Sequence, residues 1–318
     1  MTRPRTSTPL FCPCLLVSLC LLAFTVSIPA PAQTPLPPPA PPAPSISAPE
    51  PIPVTVTVRD KKGRIITDLT REEFRILVDR QEQAIASFHG PGETPLVVGL
   101  LLDSSGSMRS VISPELETAL VDFVRLLVAR NAQVFLVAFG SKIILLGDVT
   151  TDLPTLEHGI RQWRQVVRGT TALHDAIYWA CEQKLAAYPI RRALVLVTDG
   201  IDNSSGKRMG DAGHLAVQTN TSISNVAVIS RQRTGVRSPE FDLAMDDLYI
   251  LARETSGILI DFRMSHEYAP GFLSIAKQFE GQYLLSFVPP IPQHPRKLRK
   301  IQVEVTRKDA RVTARKAY

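Results

Sequence analysis

Leu96-Val97-Val98-Gly99-Leu100-Leu101-Leu102 runs directly into Asp103-Ser104-Ser105-Gly106-Ser107-Met108, and this junction decides the fold. An unbroken apolar run of strand length requires burial on both faces, the condition of a central parallel strand. The tight loop that follows carries one carboxylate and three hydroxyls. Working outward, wholly apolar runs recur at Val134 to Phe139, Ala193 to Val197, Val226 to Ile229 and Ile258 to Ile260. The stretches between them show helical spacing, as in Leu116, Leu120, Phe123, Val124 and Leu127, or Leu173, Ile177, Ala180 and Cys181. The pattern predicts an α/β fold with a doubly wound, mostly parallel, Rossmann-like sheet. Lys142 to Val149, after the turn residues Gly140-Ser141, reads as an antiparallel edge strand.

Both ends of the folded region have a different texture. Val54 to Arg59 alternates apolar and polar residues, as do Phe74, Ile76 and Val78. Tyr283, Leu285 and Phe287 repeat this period, followed by Ile301, Val303 and Val305 and then Val312 and Ala314. Neither flank alone has enough strands for stability, so the two are expected to form a small antiparallel β domain from which the α/β domain is inserted. The expected boundaries are 54–92 and 282–318 for its two parts and 94–280 for the α/β domain.

Ahead of these, Arg3 and Arg5, the apolar run Leu15 to Ile28 and the small residues Ala30-Pro31-Ala32 read as a signal peptide over 1–32. The Pro, Ala and Ser composition of 33–53 marks an extended Pro-rich linker. The chain is thus expected to be secreted, periplasmic or on the cell surface. The alternative is an N-terminal membrane anchor, since Leu10 to Ile28 approaches bilayer length. Lys and Arg number 36 against 30 Asp and Glu, a net charge of +6 with two of those arginines in the signal, which is too mild for a nucleic-acid binder. Cys181 is the sole cysteine of the folded body, excluding a disulfide framework or a cysteine-based zinc site there.

In open α/β sheets ligands gather at the carboxyl ends of the strands. The first strand ends at Asp103 and its hydroxyl loop, a second ends in Val197-Thr198-Asp199-Gly200, and Gly169-Thr170-Thr171-Ala172 opens a helix. Carboxylate and hydroxyl oxygens without imidazole or thiolate form a ligand set for a hard divalent cation, Mg²⁺ first, with Mn²⁺ or Ca²⁺ as alternatives. Asp103-x-Ser105-x-Ser107, Thr171 before Ala-Leu-His-Asp-Ala, and Asp199 in Thr-Asp-Gly resemble the metal-ion-dependent adhesion site of von Willebrand factor type A domains. The flanking strands are similar to those of a bacterial family of secreted von Willebrand A-related proteins described chiefly from acidobacteria. The departures are Thr170, where relatives often carry a second glycine, and His174, where tyrosine is usual.

The resemblance implies that Asp103, Ser105, Ser107, Thr171 and Asp199 bind the metal, with Ser104, Thr170, Asp175 and Asp202 at its rim or behind its ligands. It implies that a partner protein completes the shell with an Asp or Glu carboxylate, because neutral hydroxyl ligands leave the ion residual positive charge. Taken singly, each aspartate could merely cap a helix or turn. His174 reads as a rim residue and not a ligand. The chain is therefore expected to be a Mg²⁺-dependent protein-binding module and not an enzyme, with no nucleic-acid partner and membrane contact only through an uncleaved signal or anchor. The alternatives are a scaffold with a structural metal and a metal-assisted hydrolase. Against hydrolysis stands the lack of a nucleophile elbow, a phosphate-binding loop or a general base beside a nucleophile.

Overall fold

The computed structural model describes residues 50–228, 239–262, 267–289 and 298–318. The expected signal and most of the Pro-rich linker lie outside them, as do Ile229, Arg296 and Lys297. Residues 48–318 form one compact unit. Among the described residues no helix is long and apolar enough to cross a membrane.

Six strands make the central sheet: β5 (Leu96–Asp103), β6 (Ala132–Phe139), β7 (Ile143–Thr150), β8 (Arg191–Thr198), β9 (Thr221–Ala227) and β10 (Leu259–Asp261). Their spatial order is β10-β9-β8-β5-β6-β7, parallel except for β7, which turns back antiparallel onto β6 at the edge. The decisive apolar run is the middle of this sheet. All eight residues of β5 are buried, with Phe123, Leu120 and Phe272 in the core on one face and Leu173, Ile177 and Leu248 in the core on the other. Helices α1 (Pro114–Val128), α2 (Leu153–Trp163) and α6 (Tyr268–Glu280) cover the first face; α3 (Leu173–Trp179), α4 (Met209–Gln218) and α5 (Pro239–Glu254) cover the second.

Local chemistry starts these helices where the strands end. Ser113 caps α1, its hydroxyl accepting from the Leu116 N–H at 3.3 Å, and Pro114 follows at the first helical position. Asp152 does the same for α2 through the Thr155 N–H at 3.0 Å. Beyond Trp179 helix α3 widens into a π-turn over Ala180–Leu185, with Cys181 buried inside as the packing residue its spacing suggests.

Strand β9 breaks the apolar rule, since it is buried throughout yet contains Thr221, Ser222, Ser224 and Asn225. Much of this polarity is hydrogen-bonded: Asn225 Nδ2 donates to the Leu248 carbonyl at 2.5 Å, and the Ile258 N–H donates to the Ser224 hydroxyl at 3.3 Å. Gly257 permits that close approach. A β-carbon there would lie 1.8 Å from the Ile223 carbonyl oxygen, against backbone that cannot swing away. Gly257→Ala is therefore expected to cost more than about 3 kcal/mol, in the range of severe overpacking. Urea unfolding would check this, and a loss below about 1 kcal/mol would show that β9 and β10 slide apart easily.

The flanking segments supply two antiparallel sheets. Strands β1 (Ile52–Arg59), β4 (Ile85–His89), β11 (Gln282–Phe287) and β13 (Arg311–Ala314) pair in the order β13-β1-β11-β4. Strands β2 (Phe74–Val78), β3 (Gln81–Gln83) and β12 (Ile301–Val305) form the second sheet in the order β12-β2-β3. Their apolar faces, Val54, Val56 and Val58 with Tyr283, Ile76 and Val303, meet in a third core. Residues separated by more than two hundred positions thus share one layer, since β1 pairs with β11 from Ile52↔Phe287 to Thr57↔Gln282.

Candidate metal centre

Four loops at the carboxyl edge of the central sheet converge on Asp103, which is fully buried at the end of β5. Its Oδ1 accepts from the Ser105 N–H at 2.8 Å and its Oδ2 from the Thr198 hydroxyl at 2.6 Å. The Trp163 indole donates to its carbonyl at 2.9 Å. Ser105 and Ser107 present their hydroxyl oxygens 2.9 Å apart, and Ser105 is buried while Ser107 is half-buried. Asp199 is buried just beyond β8, the strand beside β5, and its carboxylate accepts from the Ile201 N–H at 3.2 Å. Gly200 follows with φ 82°, so the turn behind Asp199 uses a conformation that glycine adopts freely.

The loop before α3 is tied to both neighbours. Gly106 N–H donates to Gly169 O at 3.1 Å, Arg168 N–H to Ser104 O at 2.7 Å, and Ala172 N–H to Gly140 O at 3.0 Å. Thr171 is buried and held from the other side, its N–H donating to Asn203 Oδ1 at 2.9 Å while its carbonyl accepts from Asn203 and Ser204 N–H at 3.0 and 3.1 Å. Asp103, Ser105 and Ser107 thus share one loop, Thr171 lies on a loop bonded to it, and Asp199 belongs to a third loop bonded to Thr171.

The rim residues divide. Ser104 is buried and anchors backbone, while Thr170 is exposed. Asp202 accepts from the His174 N–H at 3.0 Å, the Ser205 N–H at 3.0 Å and the Ser205 hydroxyl at 2.5 Å. Burial works against its charged form, yet these hydrogen bonds prevail and hold its carboxyl below the usual range. Asp175 turns toward the Gly206 and Lys207 N–H groups, at 2.9 and 2.8 Å, so it pins the loop after Asp199. The His174 ring faces Asp202 and the Lys207 carbonyl, at 3.5 and 3.3 Å.

Three supports escaped the sequence reading: Thr198, Asn203 and Trp163. Thr198 directly precedes Asp199; Asn203 lies in the polar loop after Asp199, whose composition is also that of an ordinary surface loop, and Trp163 carried no local signal. Asn203→Ala leaves the Thr171 N–H without its acceptor. A loss of about 1–2 kcal/mol is expected in denaturant unfolding, against near-zero for Ser204→Ala, whose contact to Thr171 is made by backbone.

The electrostatics of the site favour a cation. Burial and then the charge of Asp199 push the Asp103 carboxyl up to about 7, despite its hydrogen bonds from Thr198 and Ser105. No basic side chain contributes to that balance. Two neighbouring carboxylates, three hydroxyls and no compensating charge form an oxygen donor set that fits a hard divalent ion. Among the described residues no group of three His, Cys, Asp or Glu is placed to hold a metal ion, so the candidate donor set relies on hydroxyls beside its two carboxylates.

Residues 98–201 match the family model of the von Willebrand factor type A domain. Nothing matches among curated proteins. An aerotolerance-related membrane protein from Bacteroides fragilis is similar at 19% identity and a TM-score of 0.46, covering 58% of this chain and 98% of that one. The protein BatB from Bacteroides thetaiotaomicron is similar at 16% identity and a TM-score of 0.45, over 57% of this chain and 96% of that one. Proximal thread matrix protein 1 from the mussel byssus, in a structure with a zinc-occupied metal-ion-dependent adhesion site, gives 14% identity and a TM-score of 0.48, over 62% of this chain and 48% of that one. Residues 98–201 are thus similar to a von Willebrand factor type A domain, in keeping with the mostly parallel sheet and its two helical layers.

Proposed function

We propose that this chain is a secreted or membrane-tethered, Mg²⁺-dependent protein-binding module that coordinates an Asp or Glu carboxylate of a partner protein. One observation carries the reading: Asp103 is buried beside Asp199 with no counter-charge, at the convergence of loops bearing Ser105, Ser107 and Thr171. In this reading those five residues hold the ion, and the metal supplies Lewis acidity that an incoming carboxylate can satisfy. Ser105, Ser107 and Thr171 contribute oxygen without charge. An acid from outside can therefore join as a stronger donor than the neutral hydroxyls around the ion. Thr198 and Asn203 hold Asp103 and Thr171 in place, while the exposed Thr170 and the loop pinned by Asp175 and Asp202 shape the surface the partner meets.

The signal at 1–32 and the Pro-rich spacer at 33–53 would place the body, with its β parts at 54–92 and 282–318 around the domain at 94–280, outside the cytoplasmic membrane. The test is calorimetric titration of Mg²⁺ and Mn²⁺ into the purified protein, with and without a small carboxylate such as acetate. Saturable Mg²⁺ binding that tightens with acetate is the expected result. Equal heats in the parent and in Asp103→Ala would overturn the metal site. Capture of partners that survive chelation would overturn the metal-dependent contact.

A further inference from the structure

Helix α5 packs one face into the core and leaves apolar side chains on the other. Phe241, Met245, Leu248 and Leu251 are buried against the central sheet at the spacing the helical period requires. On the opposite side Leu243 is 66% exposed, Tyr249 53% and Ile250 46%. Of the six large hydrophobic side chains exposed among the described residues, these three share one helix, whereas Leu145, Leu273 and Val288 belong to three different segments. An apolar residue exposed singly needs no explanation; several on one helix face mark a contact surface.

The charges on that face say what covers it. Seven residues make about two helical turns, so Leu243 and Ile250 stand in line on the outward side. The same period sets the exposed Glu240 and Asp247 along one side of that line and the exposed Asp242 and Asp246 along the other. Among the described residues none of these four carboxylates has a hydrogen bond or an ion pair. The basic neighbour Arg253 is engaged elsewhere, with Glu254 at 3.0 Å and over the Tyr249 ring at 5.8 Å. Glu240 and Asp242 suit the positive end of the helix on their own account, but Asp246 and Asp247 lie beyond its first turn and gain little there. An apolar line between two rows of unpaired acids, on a chain whose net charge is +6, is complementary to a surface that is both apolar and basic. A second copy of this helix would set acid against acid, and an anionic lipid surface would be repelled.

We propose that the outward face of α5 docks a basic amphipathic helix of a partner protein. Its apolar side chains cover Leu243 and Ile250, and its Lys or Arg side chains pair with Glu240 and Asp247 on one side and with Asp242 and Asp246 on the other. The contact needs no metal ion.

The test is fluorescence anisotropy of a labelled peptide as long as α5, 16 residues, with Leu at helical spacing along one face and Lys on both flanks. The full chain is titrated into it in chelator at about 0.15 M salt, so that the result does not depend on the candidate metal centre. Saturable binding is expected. It should be at least about 10-fold weaker for Leu243→Ser combined with Ile250→Ser, and likewise for Asp246→Asn combined with Asp247→Asn, through lost apolar burial and lost charge pairing respectively. All four positions are exposed, so both variants keep the fold. The same peptide with Glu in place of Lys should not bind. Absence of binding by the Lys peptide, or equal binding to the parent and both variants, would overturn the proposal. A loss in the apolar variant without one in the charge variant would overturn the basic occupant. Dimerisation of the parent that the apolar variant abolishes would overturn it as well, because the face would then serve a second copy.

Discussion

Asp103→Asn is expected to weaken Mg²⁺ binding by more than about 100-fold while raising the melting temperature of the metal-free protein by about 2–4 °C. The two effects share one cause. Without metal, a fully buried carboxylate lies beside Asp199 with hydrogen bonds but no cation, so its charge is paid for only in the loaded state. Asparagine has nearly the same shape. Its carbonyl oxygen can keep the Ser105 N–H at the Oδ1 position, and its amide can donate to the Thr198 hydroxyl, which accepts as readily as it donates. The exchange therefore removes a desolvated charge and keeps the contacts, a gain of about 1 kcal/mol. Asp103→Ala has the same effect on metal but leaves the Ser105 N–H and the Thr198 O–H without their acceptor, and should lower the melting temperature. Calorimetric titration and thermal unfolding in chelator check both halves. An Asp103→Asn protein that melts lower than the parent without metal would mean that the buried charge is compensated within the chain after all.

Trp163→Ala is expected to cost about 3–5 kcal/mol in urea unfolding, among the largest losses for any single truncation in the chain. Trp163 is fully buried at the end of α2, in the core that also holds Leu136, Leu156 and Ile160. Its indole N–H reaches the Asp103 carbonyl, so this residue connects that core to the candidate metal loop. Trp163→Phe separates the two contributions. The ring fills most of the space but leaves the Asp103 carbonyl without its donor, for about 1–3 kcal/mol and a metal affinity lower by about 10-fold. If Trp163→Phe bound metal as the parent does, the indole contact would matter to packing alone.

Much of the central sheet was legible because buried parallel strands leave a local mark. Leu96 to Leu102, Val134 to Phe139 and Ala193 to Val197 are apolar on both faces, and each becomes a strand buried on both. The edge strand was legible from its turn, since β7 runs straight back antiparallel onto β6 after Gly140-Ser141. Strand β9 was harder to read. Thr221, Ser222, Ser224 and Asn225 look like a surface, and several of them are buried against hydrogen-bonding groups of α5 and the segment after it, which no local pattern announces.

The candidate site divides in the same way. Asp103, Ser105 and Ser107 declare themselves because three oxygens crowd one turn at the end of a strand, and Asp199 because it ends the neighbouring strand. Thr171 needed a family pattern to be singled out. The residues that hold these in place, Trp163 and Asn203, are ordinary in their local sequence, and only the structure shows that Asp175 accepts from the Gly206 and Lys207 N–H groups.

The sequence by itself determined the alternation of buried strands and helices, the oxygen-rich ends of two strands and the antiparallel character of both flanks, because periodicity and composition act over a few residues. Only the tertiary structure decided that Ile52 would pair with Phe287 and that Asp103 would be buried beside Asp199 with no basic side chain in the balance. Those outcomes depend on desolvation and on charges brought together from distant positions, and neither exists until the chain has closed on itself.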